Sequence, residues 1–128
     1  MARILVVDDS EMVLALMQKD LGAAGHEVFT APNGKVGLKL FHQQPVDLIL
    51  TDIYMPEGDG LELILSLRKS GTGMPPVIAM SSTTGITNML NAAKVMGARF
   101  TLQKPFKKAE LLDAVDSILG KPTVPAVV

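Results

Sequence analysis

An apolar run that ends on a carboxylate restricts the fold of this chain more than any other feature. Residues 46–52 read Val-Asp-Leu-Ile-Leu-Thr-Asp, and the chain then breaks at Pro56 and at a turn with Gly58 and Gly60. A strand buried on both faces of a parallel sheet has such a near-continuous apolar sequence. Open α/β sheets bind ligands at the carboxyl ends of their strands, so Asp52 is the first residue to consider for chemistry.

Length and composition exclude several classes of protein. A chain of 128 residues forms one domain, which buries roughly two-thirds of the surface of its unfolded form. Lys and Arg number 12 against 13 for Asp and Glu, which argues against a domain dedicated to nucleic acid or anionic lipid. Without Cys there are no disulfides or thiolate metal sites. The first apolar run is too short for a signal peptide or a membrane span, so we expect a cytoplasmic protein.

Apolar runs alternate with helical periodicity along the chain. The predicted strands are residues 4–7, 27–31, 46–52, 77–80 and 100–103, and the second is the most polar, as is typical of a sheet edge. Helices follow the strands, the fourth at about residues 86–96. Their apolar faces include Val13, Met17 and Leu21 in the first helix, Leu61, Ile64 and Leu65 in the third, and Leu111, Val115 and Ile118 in the fifth.

Five such strand-helix units predict an α/β fold with a doubly wound, parallel, five-stranded sheet. The expected architecture is flavodoxin-like (βα)5 with strand order 2-1-3-4-5, because crossovers between parallel strands are right-handed. We expect residues 1–120 to form this domain. Residues 121–128 contain two prolines and no helical period, and they are expected to be a flexible tail or the start of a linker.

The predicted strand order brings three acids together, because the first and third strands become neighbours. Asp8 and Asp9 follow the first strand, and Asp52 ends the third. Two carboxylates ~4 Å apart repel by about 4 kcal/mol at an effective dielectric near 20, so the cluster should raise a pKa or recruit a cation. Such oxygen ligands suit Mg²⁺. Each Asp alone is also a common turn or capping residue, but three at two strand ends favour a site.

Two further polar residues end neighbouring strands at the same edge. Lys104 follows the fifth strand, where its ammonium group can reach a phosphoryl oxygen, although an isolated lysine is usually only solvated. Ser81 ends the fourth strand and offers a hydroxyl donor, although alone it would more often be a turn residue. With the three acids, these residues form a set suited to phosphoryl transfer.

Over about residues 2–120 the chain resembles a response-regulator receiver domain of two-component signalling, similar to the single-domain chemotaxis regulators. The resemblance depends on five short motifs. They are Asp8-Asp9 in Val-Val-Asp-Asp-Ser, Asp52 in Thr-Asp-Ile-Tyr-Met-Pro, Asp59-Gly60, Ser81 after Pro-Val-Ile-Ala-Met, and Lys104-Pro105-Phe106.

The resemblance implies a role for each of these residues. Asp52 would accept a phosphoryl group from the phosphohistidine of a sensor histidine kinase or a phosphotransfer protein, or from a small phosphodonor. Asp9, Asp52 and the main-chain carbonyl of Tyr54 would bind Mg²⁺ directly, and Asp8 mainly through water. Lys104 and Ser81 would hold phosphoryl oxygens, as the charge of the transferred group requires.

By the same resemblance the chain is a phosphorylated signalling module rather than an enzyme with a separate substrate. It would assist its own Mg²⁺-dependent phosphorylation and dephosphorylation. We expect a monomer that passes the signal to an unknown output protein, with no membrane partner and no direct contact with nucleic acid.

One position departs from the receiver pattern. Receivers usually carry Tyr or Phe three residues before the lysine, and Thr101 stands there, while the adjacent Phe100 should point to the opposite face of its strand. The resemblance therefore does not extend to the aromatic residue of the usual switch. This departure keeps open the alternative of a receiver-like interaction domain that acts without phosphorylation.

Two other aspartate or phosphate sites fit the sequence less well. Residues 82–87 match the flavin phosphate loop of flavodoxins, but that loop follows the first strand, where Asp8 and Asp9 would repel a phosphate. A polar loop before a helix explains the match better, and a flavin carrier is disfavoured. Haloacid-dehalogenase-like phosphatases need a second acid two residues after the nucleophile, and Tyr54 occupies that position.

Overall fold

The computed structural model describes residues 2–53, 60–69, 74–81, 97–104 and 106–119. Three predictions lie outside the described residues: the helix at about 86–96, the tail at 121–128 and the metal ligand Tyr54. The elements in order are β1 (Arg3–Val7), α1 (Glu11–Ala23), β2 (Glu27–Ala31), α2 (Gly34–Gln43), β3 (Leu48–Asp52), α3 (Gly60–Lys69), β4 (Val77–Ser81), β5 (Phe100–Gln103) and α4 (Lys108–Leu119).

The five strands form one parallel sheet in the order β2-β1-β3-β4-β5, which confirms the predicted flavodoxin-like architecture. Val7 of β1 lies opposite Thr51 of β3, and Asp52 lies opposite Met80 of β4. All residues of β3 and β4 are buried, whereas β2 is only partly buried. The polar strand is therefore at the edge, as its composition predicts.

The central strand β3 begins two residues later than predicted. Asp47 lies before it and binds the main chain of Arg3 twice: its N–H donates to the Arg3 carbonyl at 2.7 Å, and its carboxylate accepts from the Arg3 N–H at 2.8 Å. The Asp47 carboxylate thus accepts the hydrogen bond that a main-chain carbonyl of a neighbouring strand would otherwise accept from the Arg3 N–H. The apolar run of the sequence gives no sign of this side-chain hydrogen bond.

Helices cover both faces of the sheet and divide the core into two layers. Met17 and Leu21 of α1 and Leu111 and Val115 of α4 pack on one face. The other face is covered by α2 and α3. Helix α2 approaches β1 closely at Gly37, where a Cβ atom would lie 2.9 Å from Val7 Cγ2.

The predicted apolar face of α3 is partly wrong. Leu63, Ile64 and Leu67 are buried against the sheet, and Leu65 is 39 % exposed. Leu63, Ile64 and Leu67 fall on one stripe of a helix with 3.6 residues per turn, and only one stripe can face the sheet. Leu65 is left on the solvent side of α3.

The start of α1 connects the helix to the carboxyl end of β1. Ser10 caps the helix, with Oγ accepting a hydrogen bond from the Val13 N–H at 3.3 Å. The Ser10 N–H donates to Asp8 Oδ1 at 2.9 Å. The cap therefore also fixes the carboxylate that follows β1.

Candidate functional site

Four strands bring polar side chains to one edge of the sheet. Asp8 follows β1, Asp52 ends β3, Ser81 ends β4 and Lys104 follows β5. Asp8, Asp52 and Ser81 are almost completely buried, while Asp9 is exposed. Because parallel strands end on the same side, residues far apart in sequence meet here, as the predicted strand order requires.

Lys104 connects two of the acids. Its Nζ atom lies 2.5 Å from Asp8 Oδ2 and 3.1 Å from Asp52 Oδ2, and its side chain is 15 % exposed. The main chain of Lys104 is also fixed, because its N–H donates to the Ser81 carbonyl at 2.6 Å. The sequence indicated that Lys104 would lie at this edge but gave no sign that it would pair with Asp8.

The ion pairs determine the protonation of Lys104. Burial by itself lowers the pKa of Lys104, but the hydrogen bond to Asp8 and the negative charges of Asp52 and Asp8 outweigh it. The pKa of Lys104 therefore lies above its ordinary value of 10.5. The side chain carries a full positive charge at neutral pH.

The three acids form a cluster suited to a metal ion. One carboxylate oxygen from each of Asp8, Asp9 and Asp52 lies within 4.8 Å of the others. Among the described residues, the three carboxylates and the ammonium of Lys104 have a formal net charge of two negative charges. Carboxylate oxygens at this net charge fit a hard divalent cation.

Ser81 carries a buried hydroxyl group at this edge of the sheet. Ser81 Oγ is the buried side-chain polar atom that has no partner among the residues the structure describes. Leaving a buried hydroxyl unpaired costs free energy, and such an atom in a polar site is explained when a ligand supplies the partner. An anion bound at this edge would accept a hydrogen bond from the Ser81 hydroxyl.

Thr101 is half-buried on β5, directly opposite Ala79 of β4. Phe100 is 38 % exposed and Leu102 belongs to the core layer beneath α1 and α4. Because side chains alternate along a strand, Phe100 shares the face of Leu102 and Thr101 lies on the other face. That Phe100 points away from Thr101 stays a prediction from this alternation.

The described helices include none that is long and apolar enough to cross a lipid bilayer.

Comparison with known proteins gives a consistent result. Residues 4–116 match a family described as the response regulator receiver domain. The chain is 36 % identical over 118 residues to the transcriptional regulatory protein GlrR of Escherichia coli, covering 92 % of this chain and 26 % of GlrR. It is also 36 % identical over 121 residues to protein PilH of Pseudomonas aeruginosa, covering 94 % of this chain and 99 % of PilH.

Solved structures share the same fold. The chemotaxis protein CheY4 of Vibrio cholerae superposes with a TM-score of 0.84 at 30 % identity, covering 92 % of this chain and 98 % of CheY4. The chain spans about a quarter of GlrR but nearly all of PilH and CheY4. The shared unit is therefore found both within longer regulators and as most of a short protein.

Proposed function

The chain belongs to the response regulator receiver domain family, and from this we propose that it is a phosphoacceptor module in which Asp52 receives a phosphoryl group from a histidine kinase or a phosphotransfer protein. The observation that carries the proposal is the position of Lys104 Nζ, between the buried carboxylates of Asp8 and Asp52. We take residues 1–120 as the signalling unit and the cytoplasm as its compartment.

The proposed reaction transfers the phosphoryl group to a carboxylate. An oxygen of Asp52 forms the new P–O bond with its lone pair. The P–N bond of the donor phosphohistidine breaks, and its electron pair leaves with the imidazole nitrogen. Charge on the equatorial oxygens must be stabilised during the transfer. We assign two donors to these oxygens: Lys104, whose Nζ lies 3.1 Å from Asp52 Oδ2, and the hydroxyl of Ser81, which has no partner in the described part of the chain.

We assign the metal as Mg²⁺, held directly by Asp9, Asp52 and the main-chain carbonyl of Tyr54. When bound, Mg²⁺ neutralises charge on the phosphoryl oxygens. Asp8 would act through water. Both oxygens of Asp8 already accept hydrogen bonds, from the Ser10 N–H at 2.9 Å and from Lys104 Nζ at 2.5 Å, which supports an indirect role.

The acceptor assignment is tested by phosphorylation with a small acyl phosphate in the presence of Mg²⁺, followed by intact mass. The wild-type chain should gain one phosphoryl group, and chelation of the metal should prevent the gain. Asp52→Asn should remain unmodified. Asp47→Asn is the matched control, because Asp47 lies just before the same strand but at the opposite end of the sheet. Equal phosphorylation of Asp52→Asn would exclude the assignment.

Thr101 supports a second candidate, a receiver-like interaction domain that acts without phosphorylation. The half-buried threonine supplies no ring that could move inward on phosphorylation. Mg²⁺ titration separates the two functions. A phosphoacceptor should bind Mg²⁺ and lose affinity in Asp9→Ala. An absence of binding, or binding that is unchanged in Asp9→Ala, would favour the second candidate.

A further inference from the structure

The described helices have opposite charges on the two faces of the sheet, although the whole chain carries a net charge of only −1. With histidine neutral, α2 and α3 together have a net charge of +3, from Lys35, Lys39, Arg68 and Lys69 against Glu62. The pair α1 and α4 has a net charge of −3, from Lys19 and Lys108 against Glu11, Asp20, Glu110, Asp113 and Asp116. We call these pairs the basic layer and the acidic layer.

The cations of the basic layer are available for an external partner. Lys35, Lys39, Arg68 and Lys69 are all exposed, and none forms an ion pair with another residue in the described part of the chain. Like charges held on two neighbouring helices repel one another, so an acidic surface laid against them would lower their energy.

Each layer also carries exposed apolar side chains beside its charges. Leu65, 39 % exposed, lies on α3 within one turn of Arg68 and Lys69. Met12 and Leu16, 79 % and 55 % exposed, are four residues apart on α1 and so share one face of that helix. Three of the four large hydrophobic side chains that are strongly exposed in the described residues therefore belong to these layers. Apolar contact surrounded by complementary charge is the usual composition of a protein interface.

From this arrangement we propose that the basic layer of one copy binds the acidic layer of a second copy. The two layers lie on opposite faces of the same sheet, so the contact between copies is head-to-tail. A row of copies joined in this way always has an unoccupied basic layer at one end and an unoccupied acidic layer at the other. This association is independent of phosphorylation and of the metal.

The size of the layers limits the strength of the contact. Two helices of ten residues, each about 15 Å long and about 10 Å apart, present roughly 300 Å², well below the ~800 Å² per partner of a stable complex. The association is therefore weak, and a dilute solution of the domain remains monomeric. It becomes significant where many copies are held close together.

Sedimentation equilibrium of the wild-type chain over a concentration series tests the proposal. At an ionic strength of about 0.01 M, where the Debye length is ~30 Å, the average mass should rise steadily with concentration beyond that of a dimer. At about 1 M, where the Debye length is ~3 Å, the rise should disappear. No rise at low salt, or a plateau at the mass of a dimer, would overturn the head-to-tail contact.

Charge-reversal variants identify the surfaces. Lys35→Glu with Lys39→Glu changes the basic layer from +3 to −1, and Asp113→Lys with Asp116→Lys changes the acidic layer from −3 to +1. Each pair should weaken self-association about tenfold. The variant with all four changes keeps the wild-type net charge of −1, and its layers carry opposite charges of −1 and +1. Because the product of the layer charges falls in magnitude from 9 to 1, it should associate more weakly than the wild-type chain, but less weakly than either pair alone. Unchanged association in this variant would overturn the proposal, provided that circular dichroism shows a native fold.

Discussion

The two ends of the sheet use polar residues differently. At the amino end Ala2, Arg3, His26, Glu27 and Asp47 are paired with one another. The Ala2 N–H donates to His26 Nδ1 at 3.2 Å, the Arg3 N–H donates to Asp47 Oδ2 at 2.8 Å, and Arg3 Nε lies 3.5 Å from Glu27 Oε1. Most of these side chains are exposed. Polar groups at this end complete the main-chain hydrogen bonding of the strands.

At the carboxyl end Asp8, Asp52 and Ser81 are buried while Asp9 is exposed, and the charges of the described residues do not balance. Asp8, Asp9 and Asp52 exceed the charge of Lys104 by two, and the Ser81 hydroxyl has no partner among the described residues. Strand pairing requires none of these groups. The polar groups of the amino end thus have their partners within the chain, whereas those of the carboxyl end would be satisfied by the cation and the phosphoryl group that we propose bind there.

The largest effect is expected for the cation of the carboxyl end. Lys104→Met removes the ammonium assigned to the phosphoryl oxygens, and the rate of phosphorylation by an acyl phosphate should fall about 100-fold, as for loss of one oxyanion donor. Lys107→Met is the control, since Lys107 is exposed and lies only three residues away. Quenched time points analysed by intact mass give both rates. Equal rates for the two variants would remove Lys104 from the mechanism.

Metal affinity should respond to the charge of the carboxyl end with opposite signs in two variants. Asp8→Asn removes one negative charge and should weaken Mg²⁺ binding about tenfold, and Lys104→Met removes the positive charge and should strengthen it by a similar factor. Asp47→Asn, at the amino end, should leave the affinity unchanged. Calorimetric titration without phosphodonor measures all three. The same response from Asp47→Asn would show that the two ends do not differ in this respect.

Two serines near the carboxyl end should differ in their contribution to stability. Ser10→Ala removes the cap of α1 and should lower the free energy of unfolding by about 1 kcal/mol. Ser81→Ala removes a hydroxyl that has no partner within the described residues, so stability should change by less than about 0.5 kcal/mol or increase. Urea unfolding of metal-free protein compares them. A loss above about 1 kcal/mol in Ser81→Ala would mean that its hydroxyl supports the fold.

The smallest effect is expected from pH. The pKa of Lys104 is raised above 10.5 in the folded chain, so its charge stabilises the fold fully below pH 10.5, and that contribution is lost as pH rises through the folded value. In metal-free protein the difference in unfolding free energy between wild type and Lys104→Met should therefore be constant from about pH 7 to 10 and decrease above. A decrease that begins near pH 8 would contradict the raised pKa.

Sequence patterns predicted most of the strands, the helices and their order, because these depend on interactions between residues that are close in sequence. The strand order followed from the alternation of apolar runs and helical periods, and the polar composition of residues 27–31 correctly placed β2 at the edge. Asp47 and Leu65 show the limit of this reasoning. The start of β3 depends on a hydrogen bond that the Arg3 N–H donates to the Asp47 carboxylate, 44 residues away in sequence. The orientation of α3 depends on which apolar stripe of the helix packs against the sheet.

The same distinction applies to the site and to the surface. The sequence by itself determined which side chains stand at strand ends, because turn residues and apolar runs fix where each strand stops. Only the tertiary structure decided that Lys104 pairs with Asp8, 96 residues away, that the Ser81 hydroxyl is buried without a partner among the described residues, and that opposite charges collect on opposite faces. These properties depend on distances between residues remote in sequence, and no local pattern contains such distances.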